Sequence, residues 1–393
     1  MPETVALVIC PDGLPADTVG RRLAGLTVGE RLLLALAAAG VQRVGFVGGG
    51  ERPRSDRAGI EIFEPTEVEA PGEGESFLLL PADAVFDRRL LAAPEGIPDG
   101  LPLRSMPKSA WKAVITDPVG FLGLLGRGQA PGGNGFALRV TDRAFASSAE
   151  HCLLQSLKKE ADGLVSRTIN RRVSLFCTRF LVRAGLVPNH LTIVIMLIGV
   201  ASGVCAALAE PWWWLVIGGA LFQAQSILDG CDGEIARLTY RFSRLGQWLD
   251  SVGDDLTNYS FFLGLAIGQA RVLDAQWLYA FGGAVFALQW AASGINYQRL
   301  IKLGTGDLLA IPNMVTGGTP GGAVGRAIKG LHVIAKRDTF VLLIAVLAAA
   351  QLPLVALFGY AAGSVGMFIG VLINELRIRE ARRAEAGARS PRA

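Results

Sequence analysis

From about residue 191 onward the apolar residues of this chain come in long blocks. Before residue 145 they come in short runs that alternate with helical patterns. A membrane span needs about 20 mostly apolar residues, with a lower limit near 17. Six segments are candidates: 191–209, 212–232, 252–270, 276–296, 339–352 and 354–374. The fifth is short, and the Gln351-Leu352-Pro353 turn after it predicts a tight helical hairpin with the sixth. Trp212, Trp213 and Trp214 stand at the end of one segment, where an aromatic interface belt would lie.

The short runs of the first part predict strands at "TVALVIC", "VQRVGFVGGG", "IEIFEP", "SFLLLPADAVF", "WKAVITD" and "GFALRVTD". "VGERLLLALAAAG" has helical spacing and ends at Gly40. Strands alternating with helices predict an α/β domain with a mostly parallel sheet. "MPETVALVIC" lacks a basic stretch before its apolar run, so it reads as a first strand and not as a signal peptide. The whole chain therefore predicts an α/β cytoplasmic domain over 1–145 and a linker with a basic juxtamembrane helix over 146–190. A six-helix transmembrane domain over 191–380 and a disordered tail over 381–393 complete it. In the linker, Val173, Phe176, Phe180 and Leu181 are expected on one side. Arg167, Arg171, Arg172, Arg179 and Arg183 are expected on the other, as in a helix lying in the headgroup layer.

Charge fixes the orientation. Lys and Arg are dense before the first segment, between the second and third, between the fourth and fifth, and after the sixth. The alternate loops carry only Arg271. The positive-inside rule then places both termini and the α/β domain in the cytoplasm, on a multi-pass inner-membrane protein. With a net charge of +4 and basic residues gathered beside apolar blocks, the pattern excludes a nucleic-acid binder. A mean hydropathy of +0.40 is too high for an ordinary soluble enzyme. Five cysteines without a CxxC and three dispersed histidines argue against a disulfide framework or a zinc site.

Against this background one stretch stands out. "ILDGCDGEIARLTYRFSRLGQWLDSVGDDL" carries Asp229, Asp232, Asp250, Asp254 and Asp255 at the ends of two consecutive apolar segments. Charged groups at membrane depth are expensive and are usually functional. At about 100° per residue, Asp232, Gly233 and Ala236 fall within about 60° of Asp229. Gly246, Asp250, Gly253 and Asp254 share a face of the next helix by the same spacing. Packed together, the two faces bring four carboxylates into one pocket, which cannot stay ionised without cations. Hard oxygen donors favour Mg²⁺, Mn²⁺ or Ca²⁺, and a shared cluster favours two ions that clamp a phosphate or pyrophosphate. A fourth carboxylate is then available to take a proton from an attacking hydroxyl, and Arg237 to neutralise a leaving phosphate.

These residues resemble the signature of the CDP-alcohol phosphotransferases, D-x2-D-G-x2-A-R-x8-G-x3-D-x3-D. Asp229, Asp232, Gly233, Ala236, Arg237, Gly246, Asp250 and Asp254 occupy its positions. The resemblance covers about residues 160–380. It implies transfer of a phosphate-linked alcohol from a CDP-alcohol to an acceptor hydroxyl with release of CMP. It also implies Asp229, Asp232, Asp250 and Asp254 as ligands of two Mg²⁺ or Mn²⁺ ions, with Asp254 as the base. Gly233, Ala236, Arg237 and Gly246 would accommodate the nucleotide and its phosphates. "VPNHLT" resembles the family's opening of the first span, so Asn189 and Thr192 would border the nucleotide. A homodimer is implied by resemblance alone. By the same resemblance the donor would be CDP-diacylglycerol or a soluble CDP-alcohol, and the acceptor a hydroxyl compound such as a sugar or inositol phosphate.

The first domain resembles a nucleotidyltransferase, through "TVGERLLLALAAAGVQRVGFVGG". "PDGLPADTVGRRLAG" lacks the family's Gly-rich loop and Lys, whose amides and cation would hold a triphosphate. The domain is therefore expected to be degenerate. The two domains together are similar to bifunctional cytidylyltransferase and di-inositol-phosphate-phosphate synthases and their relatives. Asp83 stands at a family metal position, although a surface Asp after a strand is the plainer expectation. "GGGERPRS" offers a phosphate cradle or, more simply, a turn. Lys336 and Arg337 are candidate acceptor-phosphate ligands or topology determinants. "TGGTPGG" over 316–322 reads as a loop over the site. Two other classes use the same aspartates: a non-catalytic membrane scaffold, and a cation pathway, which requires polar residues continuing across the spans.

Overall fold

The computed structural model describes residues 5–12, 17–65, 71, 75–92, 97, 101–126, 128–132, 135–158, 163, 165–311 and 337–389. It divides into two compact units. One comprises Met1–Lys159, Arg179–Gly185 and Arg237–Tyr240; the other comprises Glu160–Thr178, Leu186–Ala236 and Arg241–Ala393.

The first unit is α/β. Strand β1 (Val5–Ile9) is apolar and buried at all five positions, as a strand covered on both faces must be. Two short strands, β2 (Arg22–Leu23) and β3 (Leu26–Thr27), form a hairpin that leads into α1 (Val28–Ala38). Thr27 caps α1 by accepting from the Glu30 amide at 3.1 Å. Strands β4 (Arg43–Val47), β5 (Glu61–Phe63), β6 (Ser76–Pro81), β7 (Ala84–Phe86) and β8 (Arg104–Pro107) follow. The main sheet has the order β5-β4-β1-β6-β8, parallel except for β8. Helices α2 (Trp111–Thr116) and α3 (Pro118–Leu124) precede β9 (Gly128–Gly132) and β10 (Gly135–Arg139), which form a second sheet with β7. Helix α4 (Arg143–Gln155) closes the series.

Two expectations change here, and a third is narrowed to one of its alternatives. "WKAVITD" is helix α2 and not a strand, because its buried residues Trp111 and Val114 follow a three-residue spacing. Asp83 is not at the surface: it is fully buried and ion-paired with Arg139 at 3.1 Å. Gly48 has φ +95°, and a Cβ there would lie 2.4 Å from the Cys10 carbonyl oxygen, so the glycine run is explained by a tight turn against the end of β1.

The second unit is helical. A π-helical turn over Ser166–Asn170 runs into α5 (Arg171–Arg183). Then come α6 (Pro188–Leu208), α7 (Trp213–Leu238), α8 (Arg244–Val272), α9 (Trp277–Leu303), α10 (Arg337–Ala349) and α11 (Pro353–Arg389). Helices α6 and α8 touch backbone to backbone. A Cβ on Gly264 would lie 2.1 Å from the Gly203 carbonyl oxygen, a close approach that only small residues permit. Phe222, Phe261, Phe262, Leu278, Ile344 and Leu357 belong to the unit's apolar core.

The six candidate segments lie in α6 to α11, but three helices among the described residues are long and apolar enough to cross a membrane: Pro188–Leu208, Trp277–Leu303 and Pro353–Arg379. The others fall short for physical reasons. Helix α10 has 13 residues, and α7 and α8 are diluted by Gln223, Gln225, Asp229, Asp255 and Asn258. The tail is also corrected, since α11 continues to Arg389 through "EARRAEAGAR", which is dominated by good helix formers. On α5, Arg171 leaves the expected exposed basic side and is buried, whereas Val173, Phe176 and Phe180 are exposed. Loop 316–322 and Lys336 lie outside the described residues.

Candidate active site

The aspartates are positioned by the ends of three helices. Pro188 at the first turn of α6 starts that helix with its φ already set. Ser243 caps α8 by accepting from the Gly246 amide at 2.8 Å. Ser243 Oγ also lies 3.5 Å from Asn189 Oδ1, and a Cβ on Gly246 would come within 3.0 Å of that same oxygen. Gly246 is therefore a close-approach residue between the starts of α6 and α8. Thr192, one turn into α6, donates its hydroxyl to Asp232 Oδ2 on α7 at 2.5 Å. The other Asp232 oxygen accepts from the Gly233 amide at 2.5 Å. Asp232 is 6% exposed, so both of its oxygens find partners without water.

Asp250 on α8 is close enough to Asp232 and Asp254 to act on their charge. Asp254, one turn further on, faces Asp229 on α7. The two helix faces expected to meet are thus joined. Arg237 and Ala236 are adjacent near the end of α7. Gly253 packs on α6, where a Cβ would sit 2.9 Å from Met196 Cγ.

A basic residue from α10 enters the cluster. Arg337 Nη1 reaches Asp229 Oδ2 at 2.9 Å and Asp254 Oδ1 at 2.5 Å, and Nη2 reaches Gln225 Oε1 at 3.3 Å. The approach to Asp254 Oδ1 does not have hydrogen-bond geometry, so this buried oxygen has no hydrogen-bond donor. Among the described residues no three His, Cys, Asp or Glu side chains form a ready metal shell, and the guanidinium lies between two of the carboxylates. The donor set nevertheless fits a hard divalent cation: oxygens of Asp229 and Asp254 converge on one guanidinium, with the Asp232 and Asp250 carboxylates close to them.

Beside Asp229 and Arg337 lies a cavity of about 360 Å³, lined also by Ser166, Asn170, Arg171 and Ser174. Two residues of this neighbourhood were not picked out from the sequence. Spacing places Arg171 only on the basic side of the linker helix, and Glu234 falls between the motif positions. A charged residue inside an apolar helix was the available signal for Glu234. Asp255 accepts from the Tyr297 hydroxyl at 2.5 Å. Further along, Tyr259 contacts Ser293, and Gln289 donates to Ser364 at 2.9 Å.

Residues 185–373 match the family model described as CDP-alcohol phosphatidyltransferase. The second half of the chain is thus similar to the CDP-alcohol phosphatidyltransferases, over just under half of its full length. All four aspartates, Asn189, Thr192 and Arg337 lie inside this match. The chain is similar to proteins named "Bifunctional IPC transferase and DIPP synthase". The one from Aquifex aeolicus is 38% identical over 127 residues, 32% of this chain and 28% of that protein. The one from Thermococcus kodakarensis is 40% identical over 111 residues, 28% of this chain and 24% of that protein. The one from Rubrobacter xylanophilus is 33% identical over 184 residues, 42% of this chain and 41% of that protein. The chain therefore spans less than half the length of these curated relatives. A solved structure of the Mycobacterium tuberculosis phosphatidylinositol phosphate synthase with CDP-DAG bound is similar at 19% identity and a TM-score of 0.35. The match covers 52% of this chain and 91% of that one.

Proposed function

We propose that the chain is an integral membrane CDP-alcohol phosphotransferase that moves a phosphate-linked alcohol from a CDP-alcohol donor to an acceptor hydroxyl, releasing CMP. The observation that carries this reading is the meeting of Asp229 and Asp232 on α7 with Asp250 and Asp254 on α8, next to Thr192 and Asn189 of α6. In this reading Asp229, Asp232, Asp250 and Asp254 would hold two divalent ions, Mg²⁺ or Mn²⁺. Bound there, such ions supply neutralisation of the donor diphosphate.

The chain's own residues do the rest. Gly233, Ala236 and Gly246 leave room for the cytidine diphosphate to approach the backbone, with Asn189 and Thr192 at its border. Asp254 takes the proton of the acceptor hydroxyl as its oxygen attacks the phosphorus that carries the donor alcohol. The bond from that phosphorus to the CMP oxygen breaks, and Arg237 neutralises the departing CMP. The cavity beside Arg337 suits an acceptor that carries an anionic group, such as a sugar or inositol phosphate. Arg337 is the described member of the Lys336-Arg337 pair, and its place at Asp229 supports a role at the site over one in topology alone.

The same proposal has α6 to α11 all crossing the inner membrane with both termini cytoplasmic, and a homodimer on the strength of the family resemblance. The first unit is proposed to be non-catalytic, because residues 11–25 lack the Gly-rich, Lys-containing loop. The test is CMP release by purified protein in lipid nanodiscs with Mg²⁺, using CDP-diacylglycerol and CDP-inositol against inositol phosphate, glycerol phosphate and serine. Acceptor-dependent CMP from one pair, lost in Asp254→Asn, is the expected result. No CMP from any pair, with Mg²⁺ bound to folded protein, would favour a scaffold.

A further inference from the structure

We infer that Glu234 is a positioning residue, a buried anchor on the rear of α7 that keeps the Asp229 and Asp232 side turned toward α8. The inference rests on the transferase reading of the carboxylate cluster. At 100° per residue Glu234 lies about 140° from Asp229 and about 160° from Asp232 around the helix, so it faces away from the site. It is fully buried.

Its carboxylate is completely engaged, and every donor comes from one stripe of α5. Glu234 Oε1 accepts from Arg171 Nη1 at 2.6 Å and from the Ser174 hydroxyl at 2.7 Å. Glu234 Oε2 accepts from the Thr178 hydroxyl at 2.7 Å. Positions 171, 174 and 178 are separated by three and four residues, the spacing of one helical face. Arg171 is itself 8% exposed, so the ion pair is removed from water at both ends. The contact continues along α7, where Cys231 Sγ lies 3.5 Å from the Ser174 carbonyl oxygen and Gly230 lies beside Arg171.

A buried ion pair is a weak source of stability but a good device for fixing register. Apolar packing between two helices tolerates small rotations and slides. A carboxylate that must meet three donors at fixed angles tolerates neither. Side chains stand about 5 Å from a helix axis, so a rotation of about 20° would displace the α7 carboxylates by on the order of 2 Å. Metal ligands must be placed within about 0.2 Å. Glu234 therefore acts on the reaction through Asp229 and Asp232 without touching substrate.

The test uses the full chain in nanodiscs, with Glu234→Gln and the double variant Arg171→Met/Glu234→Met. The readouts are the unfolding midpoint, the Mg²⁺ concentration that half-saturates the Mg²⁺-induced rise in that midpoint, and kcat and KM for CMP release. Replacing a buried pair with apolar residues of similar volume preserves stability. The double variant is therefore expected to fold with a near-wild-type midpoint, and it carries the test if Glu234→Gln does not fold. Both variants are expected to need about 10- to 100-fold more Mg²⁺ for half-saturation, as when the partner of a metal ligand is lost. A fall in kcat larger than any change in donor KM should accompany this.

Folded variants whose Mg²⁺ requirement and kcat stay within about twofold of wild type would overturn the inference and leave Glu234 a packing residue. Asp229→Asn separates the two levels. If it abolishes the wild-type Mg²⁺ shift while the Glu234 variants keep it, the positioning role fails alone. If the wild-type protein shows neither the shift nor CMP release, the transferase reading fails and takes the positioning role with it.

Discussion

Arg337 reaches Asp229 at 2.9 Å across 108 residues of sequence, and the same nitrogen stands beside Asp254. One guanidinium thus ties the start of α10 to carboxylates of α7 and α8. Arg337→Gln is expected to lower the unfolding midpoint measured in EDTA, at about 1–3 kcal/mol for the lost charged contacts. Saturating Mg²⁺ should recover most of the loss, because a bound cation would replace the missing charge. Arg337→Lys keeps the charge but not the planar fork, and should fall between the two. Thermal melts with and without EDTA check this.

Thr192 gives Asp232 its one side-chain donor from α6. Thr192→Val keeps the shape and removes the hydroxyl, so CMP release should fall about 10- to 100-fold. Thr192→Ser should retain most activity. Equal activity in the Ser and Val variants would show that the hydroxyl is not used.

The backbone contact between α6 and α8 sets where Asp250 and Asp254 stand. Gly264→Ala would place a methyl group 2.1 Å from the Gly203 carbonyl oxygen. Neither backbone can yield without moving a helix, so a loss of about 1–3 kcal/mol is expected. Gly363→Ala on α11 meets nothing within 4 Å and serves as the control. Unfolding midpoints of the two variants should separate clearly.

In the first unit, burial pushes the Cys10 thiol up to about 12 from 9.0. A folded value above the unfolded one means that the stabilisation is present below pH 9 and is lost as pH rises toward 12. Over that window the Cys10 contribution falls by up to about 1.4 kcal/mol per pH unit. Comparing wild type with Cys10→Ala isolates it, and the wild-type stability should fall more steeply between pH 9 and 12. Below pH 9 the two slopes should match.

The carboxylate cluster was legible because its spacings are local. Three- and four-residue intervals on two neighbouring helices say which side chains share a face, without any knowledge of the fold. Arg337 and the Arg171–Glu234 pair were not legible in the same way, because their partners lie 63 to 112 residues away. Helical spacing alone puts Arg171 with the other arginines on the basic side of the linker helix, and only a buried acid on another helix reverses that. "WKAVITD" was misread because β-branched and aromatic residues outweighed the Trp111–Val114 spacing, and tertiary burial favoured the helix. The tail was misread from its polarity, although Ala, Glu and Arg favour continuing α11.

The most direct test of a single metal-dependent transfer site is the Mg²⁺ dependence of CMP release in four single variants: Asp229→Asn, Asp232→Asn, Asp250→Asn and Asp254→Asn. Each is expected to keep a wild-type-like fold and to lose activity by about 10³-fold or more, and EDTA should abolish wild-type release. Full release in EDTA, or near-wild-type release from any one of the four, would contradict the account.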